Sequence, residues 1–263
     1  MFSKTVIFSL FLFSLISWVI SEDCDKNLPQ DEEIAKDFKH MAMLGYDIGS
    51  RIIYGCVGIL IDQNHVLTTA ECSRKETIGA PISVRLGISC EHFQYHNISN
   101  ISAHPEFDPD SFENATRSVA LVKLETPAES TDFVNPTKLY KTKIFDKQKP
   151  IEAAWVRLPD NEDQLIVVKF ILKILPFPKC SENYHTRTPS VEIRKKSEVC
   201  AYPIEEPQDS LGIIHLMKNG HLQPVGIMAG GSGYPPTETY PNIYIRISHY
   251  IKWIRENMEN DEE

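Results

Sequence analysis

From Phe38 onward the apolar residues of this chain fall in short runs, each ended by residues that break regular structure. "CVGILI" (56–61), "HVLTTA" (65–70), "SVALVKL" (118–124), "QLIVVKFILKIL" (164–175), "VGIMA" (225–229) and "NIYIRI" (242–247) are rich in Val, Ile, Leu and aromatic side chains. Breakers such as "HPEFDPD" and "GYPPTETYP" stand between them. Proline cannot donate to a strand ladder and glycine weakens one, so pairing ends where they cluster. Runs of this composition between turn residues read as strands. Many of them, without intervening helices, point to an all-β sandwich or barrel. The 263 residues are enough for one large all-β unit or two fused smaller ones. Only the end departs from this pattern. "SHYIKWIRENM" (248–258) places Tyr250, Ile251, Ile254 and Met258 at helical spacing, with Ser248 positioned as an N-cap. The acidic tail, residues 259–263, is expected to fray.

Residues 1–21, "MFSKTVIFSLFLFSLISWVIS", combine Lys4, an apolar run and small residues before Glu22. They read as a secretory signal peptide cut after Ser21, since the run from Val6 to Ile20 is short for a membrane span and carries serines. The released chain is then expected to be secreted, with no membrane association. Losing residues 1–21 removes Lys4 and no acid, which takes the net charge from −9 to −10. An acidic surface argues against nucleic acid as a partner. "RKK" at 194–196 reads as a solvated turn. Six cysteines remain, Cys24, Cys56, Cys72, Cys90, Cys180 and Cys200. An even count in an oxidising compartment implies three disulfides, with about fifteen pairings open from sequence alone. No CxxC or HExxH spacing favours a metal, and no cofactor motif is present. Asn97, Asn100 and Asn114 each begin an Asn-X-Ser/Thr acceptor triplet, so glycosylated surface loops are expected there.

Eight segments in order, from "FKHMAMLGY", "GCVGILIDQNHVLTTAEC" and "HPEF" through "SVALVKLETP", "DFVNP", "KFILKILPFPKC" and "QDSLG" to "YPNIYIRISHYIKWI", resemble the chymotrypsin-like (trypsin-fold, S1) serine proteases, particularly secreted arthropod members. The resemblance implies two antiparallel six-stranded β-barrels closed by a C-terminal α-helix. The protease-like domain would span 22–258, with barrels at about 27–139 and 140–247 and the helix at about 248–258. In active relatives a histidine takes the serine proton, an aspartate fixes its tautomer, and the serine attacks the carbonyl. The histidine of the family's Ala-Ala-His-Cys motif is replaced by Glu71, within Thr69-Ala70-Glu71-Cys72. The aspartate is replaced by Ser118, before Val119-Ala120-Leu121, and the serine is retained as Ser210. A carboxylate with an ordinary pKa near 4.3 takes a hydroxyl proton poorly at neutral pH and cannot become a cationic acid.

The resemblance also implies losses around the triad. Gln208 stands where a glycine forms the oxyanion hole, and Asp209 keeps the acid that pairs with a new N-terminus in activated relatives. The activation segment reads Asn27-Leu28-Pro29-Gln30, which is unsuited to insertion, so Asp209 would lack that partner. Ile204 or Glu205 falls near the base of the specificity pocket, whose wall reads Ala229-Gly230-Gly231. By the same resemblance Cys56 pairs with Cys72 and Cys180 with Cys200, which leaves Cys24 with Cys90 by elimination. His65, His104, His215 and His221 match no catalytic position and read as structural, the last two in a hairpin around Asn219-Gly220.

The function expected from these readings is a secreted serine protease homologue without peptidase activity. It would act as a binding cofactor or modulator of an extracellular proteolytic cascade, with proteases or their zymogens as partners. The alternatives are an active but atypical endopeptidase using Ser210, and a carrier or structural glycoprotein using the fold as a scaffold.

Overall fold

The computed structural model describes residues 32–75, 78–88, 92–107, 117–158, 161–188, 191–205, 210–231 and 235–260. Cys24, Cys90, Asn114, Gln208, Asp209, the activation segment and the signal peptide lie outside the described residues. Six strands, β1 (Met41–Asp47), β2 (Ile52–Leu60), β3 (His65–Thr69), β4 (Ser83–Leu86), β5 (Gln94–Ala103) and β6 (Val119–Leu124), close the first barrel in the order β1-β2-β3-β6-β5-β4. The second barrel comprises β7 (Ile151–Leu158), β8 (Asn161–Leu175), β9 (Glu198–Pro203), β10 (Ser210–Lys218), β11 (His221–Gly231) and β12 (Asn242–Arg246). It closes as β10-β11-β12-β9-β8-β7, and every pairing in both barrels is antiparallel. Closure leaves no strand edge unpaired, which is how an all-β chain protects its ladders.

Each barrel fills its own interior. Leu44, Leu60, Val66, Val84 and Val122 pack in the first, and Leu172, Ile174, Ile214, Val225 and Tyr244 in the second. A separate apolar cluster fills the seam, where Met41, Ile59 and Leu121 meet Trp155, Ile213 and Ile227. Arg85 crosses this seam almost fully buried, its guanidinium 4.6 Å from the Tyr54 ring, 4.4 Å from Phe93 and 5.0 Å from Trp155. A buried cation stacked on rings is worth about 2 kcal/mol or more when desolvated. His40 and His215 also meet at depth, their Nε2 atoms 2.9 Å apart, so one ring donates to the other. Burial holds His40 down to about 4, and burial, followed by the charge of His40, holds His215 well below the usual imidazole value.

Among the described residues three α-helices accompany the barrels: α1 (Glu32–Asp37), α2 (Phe177–Arg187) and α3 (Ile247–Asn260). The expectation of strands without intervening helices is therefore corrected by α2. Pro176 precedes it and Pro178 falls in its first turn, where a missing amide hydrogen costs nothing. Cys180 and Tyr184 turn its inner face to the core, and Cys180 forms the expected disulfide with Cys200. α3 begins one residue before Ser248 and continues to Asn260, so Ser248 lies inside the helix rather than capping it and Glu259 belongs to the helix. Ile251 and Ile254 seat α3 on the seam. His104 packs edge-on against Tyr250 and Trp253, centroids about 5.0 and 5.1 Å away, which makes it a structural histidine as read.

Asn97 and Asn100 sit on β5, not in a loop. Strict alternation would send residues three apart to opposite faces. A bulge between Ile98 and Asn100 shifts the register against β6, and both asparagines emerge exposed. The β10–β11 turn is as expected: Asn219 has φ 53° and Gly220 φ 77°, the left-handed pair that a tight hairpin demands.

Candidate functional site

Glu71 lies on a 3-10 turn, Ala70–Ser73, that leaves the end of β3. The turn is held from three sides. Cys72 is bonded to Cys56 on β2, the Tyr46 hydroxyl donates to the Cys72 carbonyl at 2.7 Å, and the Ala70 amide donates to the Ser118 carbonyl at 2.8 Å. The Cys56–Cys72 bridge spans 16 residues, and a loop of that size stabilises by about 3 kcal/mol. Thr69 pairs with Val119 across β3 and β6, so Glu71 and Ser118, distant in sequence, are brought side by side. Ser118 is buried, and its Oγ has no hydrogen-bond partner among the described residues. A buried hydroxyl without a partner costs about 1–3 kcal/mol, so an apolar or fully bonded side chain would be cheaper there.

The Glu71 side chain reaches the surface but is crowded by protein on one side. Desolvation raises its carboxyl above the usual range, against the opposing pull of Arg117 and Lys75. Lys75 in turn donates to the Gly55 carbonyl at 3.1 Å and lies 5.3 Å from the Tyr46 ring. Desolvation lowers its pKa, with Glu71 pulling the other way. The position therefore holds a partly desolvated carboxyl group that feels the charges of Arg117 and Lys75.

Ser210 opens β10, opposite Val156 of β7. β10 and β11 pack on β2, and β11 also packs on β3, whose end leads into the turn that carries Glu71. Because β10 and β11 run antiparallel, the start of β10 and the end of β11 share one rim of the second barrel. That rim collects Ser210, Ala229, Gly230, Gly231 and the start of β12 at Asn242. Gly230 has φ +147°, a conformation side chains resist, and a Cβ on Gly231 would stand 2.6 Å from Asn242 Oδ1. Ile204 follows β9, is 48% exposed, and donates its amide to the Ile171 carbonyl at 3.0 Å. It presents an aliphatic side chain to solvent at the rim where Glu205 also lies exposed.

Two constellations at the site escape a linear reading. Arg117, immediately before Ser118, donates from Nε to Glu198 Oε1 at 3.0 Å and from a terminal nitrogen to Oε2 at 3.2 Å. Arg194 donates to the same carboxylate at 2.7 Å and to the Arg117 carbonyl at 2.6 Å. Arg194 is thus no part of a solvated turn, although Lys195 and Lys196 beside it are exposed. Glu198 is wholly buried, and with its two arginines it clamps the approach to β6 onto β9 of the other barrel. The second constellation is Glu152 with Tyr244, whose hydroxyl donates to Oε1 at 2.8 Å inside the second barrel. Glu152 Oε2 has no partner among the described residues, and burial pushes this carboxyl up to about 7. Gly212 leaves room for it, since a Cβ there would collide with the Glu152 side chain. A lone acid in "IEAAW" was the available signal for this pair.

The Trypsin family model matches residues 30–254. The chain belongs to the trypsin family. It is 24% identical to the phenoloxidase-activating enzyme 1 of Spodoptera litura, over 83% of this chain and 63% of that protein. It is 25% identical to melanization protease 1 of Drosophila melanogaster, over 89% of this chain and 66% of that one. The chain thus spans just under two thirds of the length of these relatives. Among solved structures, neuropsin, a serine protease expressed in the limbic system of mouse brain, superposes with a TM-score of 0.65 at 26% identity. That superposition covers 85% of this chain and 96% of neuropsin. No helix among the described residues is long and apolar enough to cross a membrane.

Proposed function

We propose that this chain is a secreted serine protease homologue without peptidase activity, which acts by binding, as a cofactor or modulator of an extracellular proteolytic cascade. One observation carries the reading. By the motif resemblance Glu71 takes the histidine's position and Ser118 the aspartate's, and this is supported by Glu71 lying on the turn after β3 and by Ser118 being buried where that turn's Ala70 amide donates to its carbonyl. A carboxylate cannot take the serine proton on one atom and return it as a cationic acid from another, and Ser118 carries no charge to stabilise such a cation. What remains after losing these members is at most about 10³–10⁴-fold over water. The proteolytic context is supported by the relatives, named as a phenoloxidase-activating enzyme and a melanization protease. Secretion is supported by the leader-like residues 1–21 and the disulfides Cys56–Cys72 and Cys180–Cys200.

The test is incubation of the purified chain with a fluorophosphonate probe, followed by intact mass. We expect no adduct under conditions that label trypsin fully. An adduct mapped to Ser210 contradicts the proposal and favours an atypical peptidase.

A further inference from the structure

The rim of the second barrel opposite Ser210 opens into a groove. Ser210 begins β10 and Asn219-Gly220 follows its end, so the two lie about 30 Å apart at the rise of a strand. A cavity of about 440 Å³ beside that turn is walled by α1, the segment joining the barrels and the start of β11. Lys36, Lys39, Lys138 and His221 line it, and Asp37 is the one acid among its described residues. The Asp37 carboxylate already faces Lys169 at 3.9 Å. Three lysines around one paired acid invert the balance of a chain with net charge −9. Lys138 and Tyr140 also border a second cavity of about 300 Å³, whose floor is Ile61, Leu139, Ile251, Ile254 and Met258. The basic cavity therefore adjoins an apolar one across Lys138 and Tyr140. Tyr140 at their junction is 46% exposed, and Met217 at the basic end is 61% exposed. The joining segment is pinned, since the Asn135 amide donates to the Lys39 carbonyl at 3.0 Å and the Thr137 amide to the Leu60 carbonyl at 2.9 Å. A groove built on fixed backbone binds without first being ordered.

We propose that this groove docks an acidic peptide segment of a partner protein, with carboxylates on Lys39 and Lys138 and an apolar side chain in the Ile61–Met258 cavity. The inference rests on reading the chain as a binding protein and gives that reading a face. Charge complementarity selects the acidic class. The apolar cavity selects a peptide over a sulfated glycan, which has nothing apolar to bury there.

The experiment is fluorescence anisotropy of the full secreted chain with a fluorescein-labelled peptide of glutamates and aspartates around a central Leu-Leu pair. Saturable binding that weakens with salt is expected, since exposed charges are screened. Lys39→Glu with Lys138→Glu should raise Kd about tenfold or more, and exchanging the leucines for serines should do the same, each corresponding to about 1.4 kcal/mol. Thermal unfolding of the variant verifies that it is folded. Absence of binding, equal binding of a peptide of reversed charge, or an unchanged Kd in the charge-reversed variant overturns the proposal. So does a heparin oligosaccharide that binds in place of the peptide and ignores Tyr140→Ala and Met258→Ser. Fluorophosphonate labelling of the same preparation separates the two readings. An adduct with peptide binding intact removes the non-catalytic reading and leaves the groove, whereas no adduct and no binding removes the groove alone.

Discussion

Replacing Glu198 by alanine should be among the most damaging single changes available to this chain. Its carboxylate is wholly buried and accepts from Arg117 at 3.0 and 3.2 Å, from Arg194 at 2.7 and 3.2 Å and from the Arg194 amide at 2.8 Å. Removing it leaves two guanidinium groups, 13% and 29% exposed, without their counter-charge. Truncating one partner of a buried ion pair costs about 3–5 kcal/mol, mostly because the remaining charge stays desolvated. For a chain of this size each kcal/mol moves Tm by roughly 2–4 °C, so a fall of about 6–20 °C is expected. The assay is thermal unfolding by calorimetry and circular dichroism, with Lys196→Ala, an exposed neighbour, as the control expected to stay within about 0.5 kcal/mol. A double-mutant cycle with Arg117→Ala should return a coupling of about 0.5–3 kcal/mol. If Glu198→Ala costs no more than Lys196→Ala, the clamp does not stabilise the docking of the barrels.

Placing the motif residues back with Glu71→His and Ser118→Asp should give no measurable hydrolysis of arginyl substrates, because this rim presents the aliphatic Ile204 and the bare Gly230 while Glu205 beside them is exposed to solvent; clear turnover in a chromogenic assay refutes this. Glu152 has a folded pKa raised to about 7, so the folded state holds its proton more tightly and the stability it contributes, present below the ordinary carboxylate pKa, is lost as pH rises to about 7. His40, held at about 4, works the other way, its contribution being present above the ordinary imidazole pKa and lost as pH falls to about 4. Glu152→Gln should therefore flatten the decline of Tm toward pH 7 and steepen its rise out of acid, and an unchanged pH profile contradicts the assignment. Asn97→Gln and Asn100→Gln in the secreted chain should each remove one glycan, since the bulge in β5 exposes both; a mass change for only one of them, or neither, contradicts that reading.

The two barrels were legible because apolar runs between breakers report strands directly, and eight family segments in order set them in sequence. β5 was not, since "QYHNISNISA" buries only His96 fully and reads as polar loop until its partners β4 and β6 are known. α2 was hidden by the prolines around its start, which signal a break in a strand as readily as the first turn of a helix. At the site, Glu71 and Ser118 were identified by position in motifs, which local sequence preserves. Glu198 with Arg117 and Arg194 was not, because Arg117 and Glu198 stand 81 residues apart and the pair exists only once the barrels are docked. Glu198 stands only four residues after Arg194, but a run of three cations reads as solvated until Arg117 of the other barrel meets the same buried carboxylate.

The claim at the centre of this account is that Ser210 is not a nucleophile. Steady-state hydrolysis of an activated ester and of a panel of peptide anilides by the wild-type chain and by Ser210→Ala, prepared in parallel, tests it most directly. Equal rates for the two proteins, at the level of trace contaminants, are expected. Turnover by the wild-type chain that disappears in Ser210→Ala would contradict it.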